Sequence, residues 1–212
     1  GLPDTAVQPE PPRSGVSEDV AKIQVLLDRV GASPGVIDGR MGDNVNKAIG
    51  AYRDLTGEAL RTYDKDYVDE KLAATGGDAF FDYEITPADV AGPFVASVPS
   101  DYGEKAQLEH MSYTSVAEKL AERFHMDERY LRSLNSNVGF DRPGTIIRVA
   151  NVGKPKTAKV ARIVADKGAK QVRAYGEDGK LVVAYPSTIG SDATPSPTGT
   201  HTVERIAFDP EY

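Results

Sequence analysis

The sequence predicts an α+β protein of several domains, and three observations lead to this prediction. Apolar residues recur at helical spacing within residues 18–77. Strand-like and helical patterns alternate within 78–153, and β-rich runs separated by turn residues fill 154–212. Residues 1–17 are rich in proline and are typical of an extended linker. A chain of 212 residues has room for two or three small domains of this kind.

Composition excludes several functional classes. A net charge of −7 argues against a nucleic-acid partner, and no apolar run is long enough to predict a membrane span. The chain has no cysteine, so thiol catalysis and disulfides are ruled out within these residues. His110, His125 and His201 share no metal-ligand spacing. We therefore predict no catalytic residue, no cofactor and no metal site in this chain.

Three helices are predicted in the first unit. The first is capped by Ser17 and ends at Gly31, which supplies a left-handed stop. After the loop 32–42, Asp43 is expected to cap the second helix, and a short third helix is predicted around 66–72. The apolar faces of the first two helices follow a period near 3.6: Val20, Ile23, Leu26, Leu27 and Val30, then Val45, Ala48, Ile49 and Tyr52.

Two amphipathic helices joined by an Asp-Gly-x-x-Gly loop resemble the peptidoglycan-binding domain found beside cell-wall hydrolases and transpeptidases. The chain departs from that family at Val45, where Thr or Ser is usual, and at Arg53, where Gln is usual. The matching positions share the two helices and the loop: Ile23, Gln24, Leu27, Gly31, Gly35, Ile37, Asp38, Gly39, Gly42, Ala48, Ile49 and Tyr52.

The resemblance implies glycan contacts by the loop residues Asp38, Gly39, Arg40 and Gly42. A purely structural interpretation stays open beside it. In that interpretation the two glycines only supply turns with positive φ, and Asp38 only hydrogen-bonds to the loop backbone.

The second unit combines strands and helices. A strand is predicted over residues 80–85, followed by a helical turn that Thr86 caps. A helix begins after Ser115, Asp127 caps another helix, and a strand over 145–149 closes the unit.

The second unit resembles a LysM glycan-binding module. Its matching positions run from the first helix to the last strand: Leu120, Ala121, Phe124, Met126, Leu131, Leu134, Asn135, Gly144, Ile147 and Val149. The resemblance implies a βααβ fold and a glycan contact at Asn135. The chain departs from the family at 112–116, where the usual Gly-Asp-Thr-Leu start is absent, and we interpret 78–105 as an added segment. The alternative is a spacer that binds no glycan.

A β-hairpin is predicted in the third unit. The runs 171–175 and 181–185 are joined by an acidic turn flanked by glycines. The second run is continuously apolar and suits a strand buried on both faces. A loop with Pro195, Pro197 and Gly199 follows, and 200–203 return to strand.

This ordered string resembles the first strands of the L,D-transpeptidase catalytic domain (YkuD type), which is mainly β. The resemblance implies an exported enzyme of the periplasm or cell wall whose cysteine thiolate attacks the peptide bond after the third, diamino-acid residue of a peptidoglycan stem. A histidine would act as base, and backbone N–H groups would stabilise the oxyanion. The cysteine motif would lie beyond Tyr212, so we expect these residues to be an inactive fragment whose export signal has been removed.

The partners implied by the three resemblances are peptidoglycan glycan strands and stem peptides. An incomplete sheet would also leave an open strand edge, through which two copies could form a dimer. The main alternative to the transpeptidase is a non-catalytic peptidoglycan-binding protein. A scaffold that ignores glycan is the third hypothesis.

Overall fold

The computed structural model describes residues 15–95, 113–154 and 159–187, together with the backbone of 200–203. Within these residues the fold is mixed α/β, with six helices and two small antiparallel sheets. The predicted mixture of helices and antiparallel strands is therefore confirmed. Among the described helices, none combines the length and the apolarity that crossing a bilayer would need.

Helix α1 (Glu18–Val30) begins and ends as the sequence predicts. The Ser17 hydroxyl accepts a hydrogen bond from the Val20 N–H at 3.5 Å. Gly31 lies in the left-handed region at φ 95°, and its N–H donates to the carbonyls of Leu27 and Asp28. Both signals act locally, because a cap and a left-handed glycine need no distant partner.

Helices α2 (Asp43–Thr56) and α3 (Lys65–Thr75) differ from their predicted starts. The N-cap of α2 is Gly42, which makes no side-chain hydrogen bond, so the prediction of Asp43 as cap is wrong. Asp43 is the first helical residue, where its carboxylate still interacts favourably with the positive end of the helix dipole. Helix α3 starts earlier than predicted, because the Asp64 carboxylate caps it by accepting from the Tyr67 N–H at 3.1 Å.

In its described residues, the second unit is a two-stranded sheet with three helices between its strands. Strand β1 (Phe80–Glu84) pairs antiparallel with β2 (Ile146–Ala150). Between them come α4 (Pro87–Val90), α5 (Val116–Arg123) and α6 (Glu128–Leu134). The order of β1, α5, α6 and β2 is βααβ. Residues 80–84 fall within the segment that we interpret as added, yet they form the partner strand of β2, and every residue of β1 faces one in β2.

The third unit is a four-stranded antiparallel sheet in the order β5-β4-β3-β6. Its strands are β3 (Val160–Asp166), β4 (Gln171–Tyr175), β5 (Leu181–Pro186) and β6 (Thr200–Val203). The predicted hairpin is confirmed, because β4 and β5 pair and the Gly176 N–H closes the turn on the Lys180 carbonyl at 2.9 Å. The loop predicted around Pro195, Pro197 and Gly199 lies outside the described residues.

One buried cluster holds most of the described molecule together. It takes apolar side chains from α1, α2 and α3, from β1 and β2, and from α5 and α6, and it also includes Ala184 of β5. A small second cluster of Val160, Ala174 and Val183 belongs to the four-stranded sheet. The main cluster is continuous across the boundary between residues 77 and 78, and the division into domains stays a prediction.

Candidate functional site

The candidate glycan-contact loop is ordered by one buried amide. Gln24 lies on the inner face of α1 and is 1 % exposed. Its side-chain oxygen accepts from the N–H groups of Asp38 at 3.2 Å and Gly39 at 2.8 Å. Its NH₂ group donates to the Asp38 carboxylate at 2.9 Å and to the Arg40 carbonyl at 3.3 Å. All four hydrogen-bonding positions of the amide are used, so the backbone of 38–40 is held firmly to α1.

Gly39 occupies a position where a side chain would be strained and crowded. Its φ is +72°, and a Cβ atom there would lie 3.0 Å from the Ser17 carbonyl oxygen and 3.3 Å from a ring carbon of Tyr130. Gly42 is different, because its backbone is extended at φ −178° and a Cβ atom there would meet no neighbour within 4 Å. The interpretation of both glycines as positive-φ turns therefore holds for Gly39 and is wrong for Gly42.

The tip of the loop faces solvent. Val36 is 56 % exposed and Met41 is 49 % exposed, and Arg40 between them is also exposed. Asp38 accepts a further hydrogen bond from the Arg40 N–H at 2.9 Å, which fixes the backbone beneath that guanidinium. The tip thus presents one cation and two apolar side chains on a rigid base, an arrangement suited to a polar ligand with an apolar face.

The opposite side of the loop packs against the turn between α5 and α6. The Ile37 N–H donates to the His125 carbonyl at 2.8 Å, and the Asp127 N–H donates to the Ile37 carbonyl at 3.0 Å. The His125 ring nitrogen lies 3.0 Å from the buried carboxylate of Asp28. This side of the loop is therefore occupied by the second unit, and among the described residues the tip is the part of the loop that stays exposed.

Tyr130 of α6 lies where the loop meets the second unit. Burial, and after it the nearby Glu18 carboxylate, raises the pKa of Tyr130 to about 12. The phenol consequently stays neutral at physiological pH. Its ring covers Gly39 and supports the loop from below.

Asn135 serves the packing of the second unit. It is 8 % exposed, and its NH₂ group donates to the Leu131 carbonyl at 3.0 Å and the Arg148 carbonyl at 2.9 Å. Its side-chain oxygen accepts from the Arg148 N–H at 2.7 Å. These bonds tie the end of α6 to β2 and use three of the four positions of the amide. A glycan contact at Asn135 stays a prediction.

The loop residues and Asn135 thus have different surroundings. Asp38, Gly39 and Arg40 are brought together by Gln24, and Gly42 follows them at the start of α2. In the described part of the chain, no group of three or more histidine or acidic side chains is placed to hold a metal ion. His110 and the side chain of His201 lie outside that part.

Two residues that organise this region were not singled out from the sequence. Gln24 matched the family pattern, and its polar side chain among the apolar positions of α1 was a signal that a buried partner exists. Arg29 donates to main-chain carbonyls of Leu72, Gly77, Asp78 and Asn151. No sequence pattern marks those acceptors, because every residue carries a carbonyl.

No family model matches this chain, and a search of curated proteins finds no significantly similar relative.

Proposed function

We propose that this chain is the wall-binding part of an exported L,D-transpeptidase and that its helical and βααβ units hold the enzyme on peptidoglycan. The observation that carries the proposal is the loop at 38–40, which Gln24 fixes while the Arg40 side chain stays exposed. In the family that the first unit resembles, this loop is where we expect the glycan contact. A preordered contact loses little conformational entropy on binding.

The arrangement proposed for the parent enzyme is a peptidoglycan-binding unit, a LysM-like unit and the first strands of a catalytic domain. The four-stranded sheet is supported by α2, since Arg173 of β4 forms an ion pair with Asp54 at 2.6 Å. The Gln171 side chain also donates to the Lys47 carbonyl at 3.2 Å. Such docking would place a catalytic domain next to the unit that grips its polymeric substrate, and would thereby raise the local substrate concentration.

The proposed location is the periplasm or the cell wall, with glycan strands and stem peptides as partners. A dimer through a strand edge is part of the same proposal. On β5 a piece of the outer edge is already used, because Ala184 exchanges backbone hydrogen bonds with Gly31 and Ser33 at 2.8 Å each. A second copy would have to pair elsewhere along the sheet.

Retention on purified sacculi tests the wall-binding role. We expect the wild-type chain to sediment with sacculi and Arg40→Gln to bind about fivefold more weakly, since one exposed charged contact contributes roughly 1 kcal/mol. Arg61→Gln is the matched control, because Arg61 is an exposed arginine of the same unit that lies outside the loop. Equal retention of all three proteins would contradict the role of the loop, and no retention of any would contradict wall binding.

The transpeptidase assignment needs a separate measurement, because none of the 212 residues is a cysteine. We would determine the intact mass of the protein isolated from its native source and titrate its thiols. We expect a mass well above 22.8 kDa and one reactive thiol. A mass of 22.8 kDa without a thiol would leave the non-catalytic peptidoglycan-binding protein as the surviving hypothesis.

A further inference from the structure

A groove of about 460 Å³ lies where the helical unit meets the βααβ unit. Helices α1 and α3 form one wall, and residues 77–80 with β2 form the other. Its volume is within the range of small-ligand sites, which is about 300–1,000 Å³. Charged side chains of both signs line it: Glu18, Lys22, Asp69, Asp78 and Arg148.

The groove is rigid because Arg29 fixes one of its walls. The Arg29 guanidinium donates to the carbonyls of Gly77 and Asp78 at 2.7 Å each and to the Leu72 carbonyl at 3.0 Å. It also donates to the Asn151 carbonyl at 2.7 Å, just after β2. Four main-chain acceptors from α3, the 77–80 segment and the end of β2 are thus held by one side chain. A wall fixed in this way need not be ordered by the ligand.

The base of the groove belongs to the buried core. Phe80 is 6 % exposed and Leu72 is 3 % exposed, so each shows the groove only a small part of its side chain. The Arg148 guanidinium lies 4.9 Å from the centre of the Phe80 ring. Its other contact is an ion pair with Glu18 at 3.1 Å. Arg148 and Glu18 therefore already satisfy each other at this end.

Lys22 and Asp69 form a weaker ion pair than Arg148 and Glu18 do. The Lys22 ammonium lies 3.9 Å from the Asp69 carboxylate, which is too long for a hydrogen bond. The two side chains are 34 % and 61 % exposed. The ammonium can therefore still donate to a ligand carboxylate, and the carboxylate can still accept from a ligand ammonium. A ligand of a single charge sign would be attracted by one of them and repelled by the other.

We propose that this groove binds a short zwitterionic peptide, with Lys22 on a ligand carboxylate and Asp69 on a ligand ammonium. The identification of that peptide as a peptidoglycan stem rests on the proposed function. A stem that contains a diamino acid carries free carboxylates and a free amine within a few residues. The groove would therefore recognise the peptide part of the wall, while the tip at Arg40 contacts the glycan part.

The experiment is an NMR titration of the chain with a synthetic stem tetrapeptide whose third residue is lysine. We expect saturable shifts at the amides of Lys22, Asp69 and residues 77–80. Lys22→Gln and Asp69→Asn should each weaken binding about tenfold, as expected for loss of a hydrogen bond between charged groups. Lys65→Gln is the control, because Lys65 is an exposed lysine at the start of α3 that pairs with Asp19 and does not line the groove.

Two peptides with chemically neutralised groups test which charged group of the ligand each residue binds. With both carboxylates of the peptide amidated, wild type and Lys22→Gln should bind equally weakly. With the amines acetylated, wild type and Asp69→Asn should bind equally weakly. If Lys22→Gln still binds the amidated peptide more weakly than wild type does, the assignment of Lys22 to a ligand carboxylate is wrong. If Asp69→Asn still binds the acetylated peptide more weakly than wild type does, the assignment of Asp69 to a ligand ammonium is wrong. Both substitutions are at partly exposed positions, and an unchanged spectrum of the free variant shows that its fold is intact.

The outcomes separate this inference from the proposed function. Absence of saturable shifts in the groove, with normal retention on sacculi, overturns the peptide site and leaves wall binding standing. Tetrapeptide binding in the groove without retention on sacculi supports the peptide site and overturns the wall-binding role. Peptide shifts that Lys22→Gln and Asp69→Asn leave unchanged also overturn the inference.

Discussion

At the scale of single residues, the two glycines of the candidate loop have opposite constraints. Gly39 has positive φ and crowded surroundings for a Cβ, whereas Gly42 has an extended backbone and open space. We expect Gly39→Ala to lower the free energy of unfolding by about 1–3 kcal/mol, because it adds left-handed strain and a contact with the Ser17 carbonyl. Gly42→Ala should lower it by less, about 0.5–1 kcal/mol, because Gly42 is the N-cap of α2 and alanine is a poorer N-cap residue than glycine. Urea unfolding followed by circular dichroism would measure both.

If Gly39→Ala and Gly42→Ala lowered the free energy of unfolding equally, Gly39 would not be held in its left-handed position. The same pair also separates stability from binding. If Gly42 contacts glycan through its backbone, Gly42→Ala should weaken retention on sacculi much more than its small effect on the urea midpoint would explain. Gly39→Ala should lower both the retention on sacculi and the urea midpoint, since it moves the base of the loop.

The candidate loop shows what a residue-level sequence pattern can predict. Asp38, Gly39 and Arg40 are consecutive, so their proximity follows from the chain itself. Their common anchor Gln24 belongs to the family pattern, but its four hydrogen bonds depend on how the loop folds back onto α1. The contact of Tyr130 with Gly39 joins two units distant in sequence, and no local pattern marks it.

At the scale of secondary-structure elements, one buried carboxylate ties α4, β1 and α5 together. Asp89 accepts hydrogen bonds from the Thr86 N–H at 2.8 Å, the Tyr83 hydroxyl at 2.7 Å and the Arg123 guanidinium at 2.8 Å. Burial alone would raise its pKa, but these bonds outweigh burial and lower the pKa of Asp89 from 3.8 to about 2. The ionised carboxylate is therefore the form that stabilises the fold.

This shift predicts a pH dependence of stability. Because the pKa of Asp89 is lower in the folded protein, its contribution is complete above about pH 4 and is lost as the pH falls toward 2. The shift corresponds to about 2 kcal/mol. We expect Asp89→Asn to lose about that much at pH 7 and to vary less than wild type between pH 4 and 2. Urea unfolding across this range measures it, with the exposed Asp82→Asn as control.

If the free energy of unfolding of Asp89→Asn fell between pH 4 and 2 as steeply as that of wild type, Asp89 would not be the source of this pH dependence. The sequence predicted part of this network, the helix cap at Thr86, which Asp89 completes as a capping box in the structure. It did not predict the roles of Tyr83 and Arg123, whose partners come from other elements. The same distinction explains β1, whose strand character was visible locally but whose pairing with β2 was not.

At the scale of the whole molecule, the helical unit and the βααβ unit are packed as one body. Their apolar side chains form one cluster, and the backbones of Ile37 and Met126 pair as an isolated parallel bridge. The mixture of helices and antiparallel strands was predicted from periodicity and turn residues, but this packing was not, because a pattern within each unit carries no information about the interface between them. Shared burial implies that neither unit keeps its full core when the other unfolds.

The last prediction is therefore that the two units unfold together. Met126 is 3 % exposed and lies in the turn that packs on Ile37. We expect Met126→Ala to lower the free energy of unfolding by about 2–4 kcal/mol, as removal of a buried methionine side chain does. Native-state hydrogen exchange should show protection falling by the same free energy in α1 and in α6. Met41→Ala, at a 49 % exposed position, should change neither the free energy of unfolding nor the protection of the two helices. If protection fell only in α5 and α6, the units would be independent modules in spite of their contact, and the groove between them would lack a wall fixed by shared packing.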